Sequence, residues 1–368
     1  MADRTAVPEL GPPRGVVWRF RRRLYPGDPE LAVRMRGANR RSKLGYDGPR
    51  RPAAGRSTMC LPNFLVIGAP RSGTTLLHRI FTEHPGVFVP ERKELHFFSH
   101  RDATPSYTGP GDDRLERIIV TSESEYREHF AAGRDSAHRG EVCPYYLSSE
   151  RAARNIAELV PRCKLVAVLR NPVERAHSQY QHNVASGWEP LASFSSALDD
   201  ENRRLAANWG PRWRVLELGF YARQLATYAR YFPPEQLSVH LYDDLCNAPR
   251  ETVDGILRFL GAPPLETSRS LDRRVNVSGR PRRKWLNRLL KRPNALRSYA
   301  DLRDPPATRT HVARRLDRAN LAPETLSAAT RARLDAVYAA EIEDLARRLG
   351  RDLSAWGPQR ATPATDPS

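Results

Sequence analysis

Residues 63–81 read NFLVIGAPRSGTTLLHRIF, and this stretch decides the fold. Phe64, Leu65, Val66 and Ile67 form a short apolar run beside a glycine, which suits a buried strand better than a helical segment. A glycine-containing loop follows. From Thr74 onward, Leu76, Leu77, Ile80 and Phe81 recur at helical spacing, so they share one face of a helix packed on a sheet. Strand, loop and helix in this order present backbone N–H groups and a helix N-terminus to a phosphate.

The spacing Gly68-x4-Gly73 fits a phosphate loop, but Thr74 stands where such a loop in an NTPase needs a lysine for the outer phosphates. This points to a nucleotide whose transferred group is not a γ-phosphoryl, with Arg71 supplying the positive charge. The alternative is an ordinary strand-turn-helix whose glycines serve only the turn. The run GAPRSGTTL at 68–76 resembles the 5′-phosphosulfate loop of sulfotransferases that use 3′-phosphoadenosine 5′-phosphosulfate. That resemblance implies donor contacts from Arg71, Ser72, Gly73, Thr74 and Thr75.

The chain has 368 residues and a net charge of +18, carried by 55 Arg against 5 Lys, which looks as much like compositional bias as like a polyanion-binding signature. Residues 1–58 hold 14 basic and 5 acidic residues, are rich in Pro, Gly and Arg, and show no sustained period. They read as a disordered basic extension. Trp18 to Tyr25, with Arg19 and Arg21 to Arg23, could touch an anionic membrane surface, or be a solvated arm. No run approaches the roughly 18–20 apolar residues that span a bilayer. Cys60, Cys143, Cys163 and Cys246 lie far apart without a C-x-x-C pair, so reduced thiols in a cytoplasmic protein are expected.

Downstream of the loop, KELHFF occupies 93–98. If this segment is extended, Glu94, His96 and Phe98 face one side and Leu95 and Phe97 the other. A carboxylate and an imidazole on one side suit deprotonation of an incoming hydroxyl; a solvated Glu and a core His are the alternative. The segment is similar to K-E-x-H-F-F of glycan O-sulfotransferases, which implies Glu94 as catalytic base and His96 as its assistant. Residues 99–140 read as mostly loop, with a short helix near 123–132, and form a candidate acceptor-binding flap. EVCPYYL at 141–147 then resembles the E-x-x-P-x-Y segment of the same family, with Val142 where several members carry a lysine.

A helix over 151–160 leads to a buried strand over 164–169, which ends in Arg170 rather than the aspartate that holds magnesium in phosphate-loop NTPases. This counts against a kinase or ATPase. RNPVERAHSQY at 170–180 resembles R-x-P-x-x-R-A-x-S-x-Y of the sulfotransferases, which implies that Arg170 and Ser178 bind the 3′-phosphate. A guanidinium fork and a hydroxyl at a helix N-terminus could hold a dianion; alternatively Arg170 and Arg175 pair with surface acids. Trp188, Trp209 and Trp213 either stack on an acceptor or pack a helical excursion.

Further on, the pattern predicts a helix over 220–232, a strand over 237–242 and a helix over 251–260 stopped by Gly261. Residues 269–297 carry 11 basic residues and one acid. Within them Ser278, Gly279 and Arg280 resemble the family's basic loop near the 3′-phosphate, and 282–292 reads as a solvated helix. An amphipathic helix over 325–349 precedes GRDLSAW at 350–356, similar to the family's terminal L-G-x-D-L-S-x-W.

Alternating strands and helices predict an α/β fold: a phosphate-loop NTPase-like central parallel sheet with helices on both faces. One domain over 59–357 would lie between the basic extension and a polar tail over 358–368. The expected activity is sulfuryl transfer from 3′-phosphoadenosine 5′-phosphosulfate to a hydroxyl, or an amine, of a carbohydrate or small-molecule acceptor, leaving 3′,5′-ADP. No metal, no specific nucleic acid and no transmembrane segment are expected. The rivals are a phosphate-loop kinase or ATPase and a non-enzymatic polyanion-binding protein.

Overall fold

The computed structural model describes residues 61–271, the backbone of 280–281 and 321–322, and residues 325–358. The basic extension 1–58, Cys60, Ser278, Gly279, the helix expected over 282–292 and residues 359–368 lie outside the described residues.

Five strands form one sheet in the order β2-β3-β1-β4-β5, all neighbours parallel: β1 Phe64–Gly68, β2 Val87–Phe88, β3 His138–Val142, β4 Lys164–Leu169 and β5 Leu237–Leu241. The longer helices are α1 Thr74–Glu83, α2 Glu150–Leu159, α3 Pro172–Ala185, α4 Tyr221–Tyr228, α5 Pro249–Leu260 and α6 Ala328–Leu349. Side chains of a strand alternate between faces, and this alternation divides the core. Phe64 and Val66 of β1 join Val166 and Val168 of β4 in one apolar layer, covered by Leu76, Leu77, Ile80 and Phe81 of α1 and by Val253, Ile256 and Leu257 of α5. Leu65, Ile67, Leu165, Ala167 and Leu169 face the opposite layer, covered by side chains of α2, α3, α4 and α6. Each fully buried Leu, Ile or Phe contributes about 1.5–3 kcal/mol relative to exposure, so the sheet is held from both sides.

Strand β3 is where the fold departs from the expectation of mostly loop up to residue 140. Its HRGEV sequence has one apolar residue, because Gly140 sits directly over the Phe64 ring and Glu141 is buried among tyrosines. Val142 lies in the apolar layer with Phe64, Val66 and Leu77. The short helix expected near 123–132 is Glu123–Glu128 followed by a 3-10 turn at Ala131–Gly133. Gly261 closes α5 at φ 81°, as expected of a left-handed cap. The segment after α6 is tied to the turn that follows β5: Trp356 Nε1 donates to Asp243 Oδ2 at 2.8 Å, and Arg351 makes two bonds to Asp244, of 3.0 and 3.1 Å.

A small antiparallel pair, β6 Arg280–Pro281 with β7 Leu321–Ala322, lies against α3. The backbone of Arg280 therefore sits beside the helix that carries Ser178. No helix among the described residues is long and apolar enough to cross a membrane.

Candidate active site

The carboxyl ends of β1 and β4 are neighbours, and between them the connections leave in opposite directions along the sheet, the place where open parallel sheets bind ligands. Residues 69–73 turn out of β1 into α1. Arg71 and Gly73 both have positive φ, 66° and 88°, and a Cβ on Gly73 would meet Leu245 at 2.8 Å. Gly73 caps α1 without a side chain, and no acid sits in the first turn. Ser72 N–H turns back to the Ala69 carbonyl at 3.3 Å. The donor-rich end of α1 therefore begins at Gly73, Thr74 and Thr75, with no side-chain cap upon it.

Helix α3 is built the other way. Asn171 Oδ1 accepts from Val173 N at 2.9 Å and from Glu174 N at 3.3 Å, and Pro172 follows at the first helical position. The expectation that a dianion would rest against this helix's positive end is corrected here, because Asn171 already occupies those amides. Side chains remain to do the work. Arg170 Nη1 donates to the Arg71 carbonyl at 3.4 Å, its guanidinium lies 4.9 Å from the centre of the Tyr242 ring, and Glu174 is 3.9 Å away. Arg175 is fully buried and donates to the Val215 carbonyl, so it is no partner of a surface acid.

Arg71 Nε donates to Ser178 Oγ at 3.2 Å. Burial pulls the Arg71 pKa down and neighbouring Arg170 adds to this, while Tyr145 and Glu94 oppose it. Two guanidinia at one turn favour an anion between them. Ser72 Oγ and Tyr221 OH are buried next to each other, with the Tyr221 hydroxyl also near the Arg170 backbone. Burial pushes the Tyr221 phenol up to about 12, so it stays a donor. Uncapped amides and two guanidinium cations form a donor set that fits a phosphorylated, sulfated nucleotide.

On the other side of Arg71 stands the turn carrying Glu94. The segment from Lys93 is not extended: Glu94 and His96 have φ of 66° and 59°, with Leu95 between them. Glu94 and His96 nonetheless meet, His96 Nε2 lying 3.9 Å from Glu94 Oε2, and Lys93 Nζ bonds to Oε1. Phe98 does not join them; it packs with Phe97, Tyr126 and Tyr146 in the core. Burial raises the Glu94 pKa, but Lys93 and His96 outweigh it and the net shift is downward. Burial lowers His96 to about 4, which keeps the imidazole neutral near pH 7.

Glu94 and His96 open onto a cavity of about 170 Å³, whose walls include Tyr145, Gln179, Trp188 and Arg212. Leu115 and Ile118 from the flap and Pro211 complete an apolar rim. The Arg212 guanidinium stacks 4.1 Å above the Trp188 ring. Three buried polar atoms at this cavity, His96 Nε2, Gln179 Oε1 and Arg212 Nη1, have no hydrogen-bond partner. Trp209 and Trp213 resolve differently from Trp188: both pack on Arg204, each 5.1 Å from its guanidinium, and Arg204 is paired with Glu189 at 2.7 Å in full burial. Buried Asp112 ties flap to excursion, accepting from Gly109 N at 2.9 Å, Gly210 N at 2.7 Å and Trp213 Nε1 at 3.1 Å.

Arg71, Ser72, Gly73, Thr74, Thr75, Arg170 and Ser178 thus gather at the carboxyl end of the sheet, beyond the central strands β1 and β4, with Glu94 and His96 adjoining. Ser278 and Gly279 lie outside the described residues, and only the backbone of Arg280 is described. Tyr145, Gln179 and Arg212 were not singled out from sequence. Among the described residues no group of three or more His, Cys, Asp or Glu is disposed to hold a metal ion.

Comparison with known proteins agrees with this geometry. The chain is 30% identical over 212 residues to human bifunctional heparan sulfate N-deacetylase/N-sulfotransferase 2, an alignment covering 55% of this chain and 22% of that protein. Its likeness to human bifunctional heparan sulfate N-deacetylase/N-sulfotransferase 3 is 31% over 212 residues, 55% of this chain and 23% of that one. The chain therefore spans under a quarter of the length of these relatives. The crystal structure of a sulfotransferase from Alicyclobacillus acidocaldarius superposes with a TM-score of 0.64 at 27% identity, covering 80% of this chain and 98% of that one. The sequence pattern of the sulfotransferase family matches residues 62–266, more than half of the chain, and on that match, in this fold, the chain belongs to the sulfotransferase family.

Proposed function

We propose that the enzyme moves a sulfuryl group from 3′-phosphoadenosine 5′-phosphosulfate to a hydroxyl of a carbohydrate acceptor, with Glu94 as general base. The observation that carries this reading is the contact of Arg170 with the Arg71 carbonyl at 3.4 Å, which joins the two anion-binding groups of adjacent strand ends at one ligand-sized site.

In this reading Arg170 and Ser178 hold the 3′-phosphate, and the α1 amides from Gly73 to Thr75 hold the 5′ side. The donor supplies an electrophilic sulfuryl group and leaves as 3′,5′-ADP. Glu94 takes the acceptor's proton while the acceptor oxygen bonds to sulfur, and the bond from sulfur to the bridging oxygen breaks with its electron pair going to the nucleotide. Arg71 faces both Ser178 and Glu94 and is suited to stabilise charge on that bridging oxygen, the dominant kind of contribution in such transfers. A neutral His96 is suited to orient the hydroxyl.

The unpartnered His96 Nε2, Gln179 Oε1 and Arg212 Nη1, beside the Trp188 indole, favour a ligand rich in both donors and acceptors, as a sugar ring is. The experiment is release of 3′,5′-ADP from the donor in the presence of a panel of oligosaccharides. Saccharide-dependent release is expected; magnesium-dependent ATP hydrolysis with no saccharide-dependent release would replace the reading with an ATPase.

A further inference from the structure

We propose that Glu141 is a positioning residue for this reaction: its buried carboxyl group holds the turn that aims Glu94 and His96 at the acceptor cavity. The inference rests on Glu94 serving as the base.

A turn with two left-handed non-glycine residues is not a conformation the chain adopts on its own preference, and it persists only where its surroundings fix it. Three bonds tie the backbone of Glu94 and Leu95 to other segments. Glu94 N donates to the Val142 carbonyl at 3.2 Å, Val120 N donates to the Leu95 carbonyl at 2.9 Å, and Leu95 N donates to Glu141 Oε1 at 3.1 Å. The last is the one of these made by a side chain, and it lies between the two left-handed residues.

The same carboxyl group reaches the far end of the turn. Tyr146 OH donates to Glu141 at 3.0 Å and in turn accepts from Phe98 N at 3.3 Å. Leu95 N and Phe98 N, on either side of His96, are thereby referred to one group. Tyr126 OH donates to the other oxygen at 2.8 Å, so the carboxyl group is itself locked. Glu141 is 1% exposed and touches no part of the acceptor cavity. Besides the repulsion between its carboxyl group and that of Glu94, its effect passes through the turn.

Displacing a catalytic group by about 1 Å can cost about 100-fold in rate. Glu141→Ala is therefore expected to lower kcat by about 100-fold, to change acceptor KM less than kcat, and to leave 3′,5′-ADP affinity at the parent value by calorimetry. In its crystal structure the 93–96 turn should be displaced while β1, α1 and α3 stay in place. Glu141→Gln, which keeps an oxygen for Leu95 N, should restore the turn and most of kcat. A folded Glu141→Ala variant with the turn undisturbed overturns the proposal. A displaced turn with unchanged kcat shows that Glu141 holds the turn, overturns its role in the reaction and removes Glu94 from the mechanism, whereas an undisturbed turn leaves the assignment of Glu94 as base untouched. Should Glu141→Ala fail to fold, Tyr146→Phe, which breaks the link to Phe98 N, is expected to lower kcat at constant 3′,5′-ADP affinity; parent-like kcat there overturns the proposal.

Discussion

Arg71 and Ser178 are hydrogen-bonded, Nε to Oγ, at 3.2 Å. The loop after β1 is thus linked to the second turn of α3, so the two ends of the proposed nucleotide share a residue pair. Hydrogen bonds to charged groups are worth about 1.5–3 kcal/mol. Ser178→Ala is expected to weaken 3′,5′-ADP binding by about 10- to 100-fold, measured by calorimetry. Arg71→Lys keeps the charge but has no Nε to reach Ser178, and should lose less in kcat than Arg71→Ala.

Glu94→Gln keeps the size and most of the polarity of the side chain while removing the proton acceptor. General-base removal costs about 100- to 10,000-fold, so turnover should fall by that factor with 3′,5′-ADP affinity unchanged. Parent-like turnover in this variant would take Glu94 out of the role.

The pH dependence follows from the Lys93 and His96 contacts, which hold the Glu94 carboxyl below the 4.5 of a free glutamate despite its burial. A base must be ionised, so kcat/KM is expected to persist as pH falls to that value and to drop only below it. His96, lowered to about 4, adds no limb between pH 5 and 8. Lys93→Met removes the strongest opposing charge and should move the acid limb upward; a limb that does not move contradicts the assignment.

Arg212 and Trp188 form one wall of the proposed acceptor cavity, stacked at 4.1 Å. Arg212→Ala removes both the stack and the unpartnered Nη1. Acceptor KM should rise by about 10-fold or more, with nucleotide affinity unchanged. Trp209→Phe, on the Arg204 side, should instead lower the melting temperature with little effect on KM.

Burial raises Glu141 from 4.5 to about 7, against the pull of Tyr126, Tyr146 and Leu95 N. The folded state therefore binds this proton more tightly than the unfolded chain. The stability it contributes is fully present below about 4.5 and is lost as pH rises through about 7. Glu141→Gln cannot ionise, so its melting temperature relative to the parent should be higher at pH 8 than at pH 5. A difference independent of pH would show that Glu141 does not titrate in this window.

The strands β1, β4 and β5 are legible as apolar runs, α1 and α5 as apolar faces, and the end of α5 from its glycine stop. Asn171 before Pro172 had the composition of a helix start, but its consequence, a closed helix end, required geometry. Strand β3 was hidden because a buried Glu141 and a Gly140 under Phe64 look like loop chemistry until the tyrosines that satisfy the carboxyl group are seen. The turn at Glu94 does not meet the condition of an extended segment for a related reason: period-two reasoning sees side-chain type, whereas the backbone at Glu94 and His96 is held by bonds to Glu141, Val142 and Val120. Arg212 and Gln179 carried no local signal; Asp112 brings the flap and the excursion together far along the chain.

The direct test of the nucleotide assignment is calorimetry of the parent and Arg170→Ala with 3′,5′-ADP and with 5′-AMP. The parent should bind 3′,5′-ADP more tightly than 5′-AMP, and Arg170→Ala should lose affinity for 3′,5′-ADP while retaining that for 5′-AMP. Equal affinity of the parent for the two nucleotides, or equal losses in the variant, would contradict a 3′-phosphate site at Arg170 and with it the proposed donor.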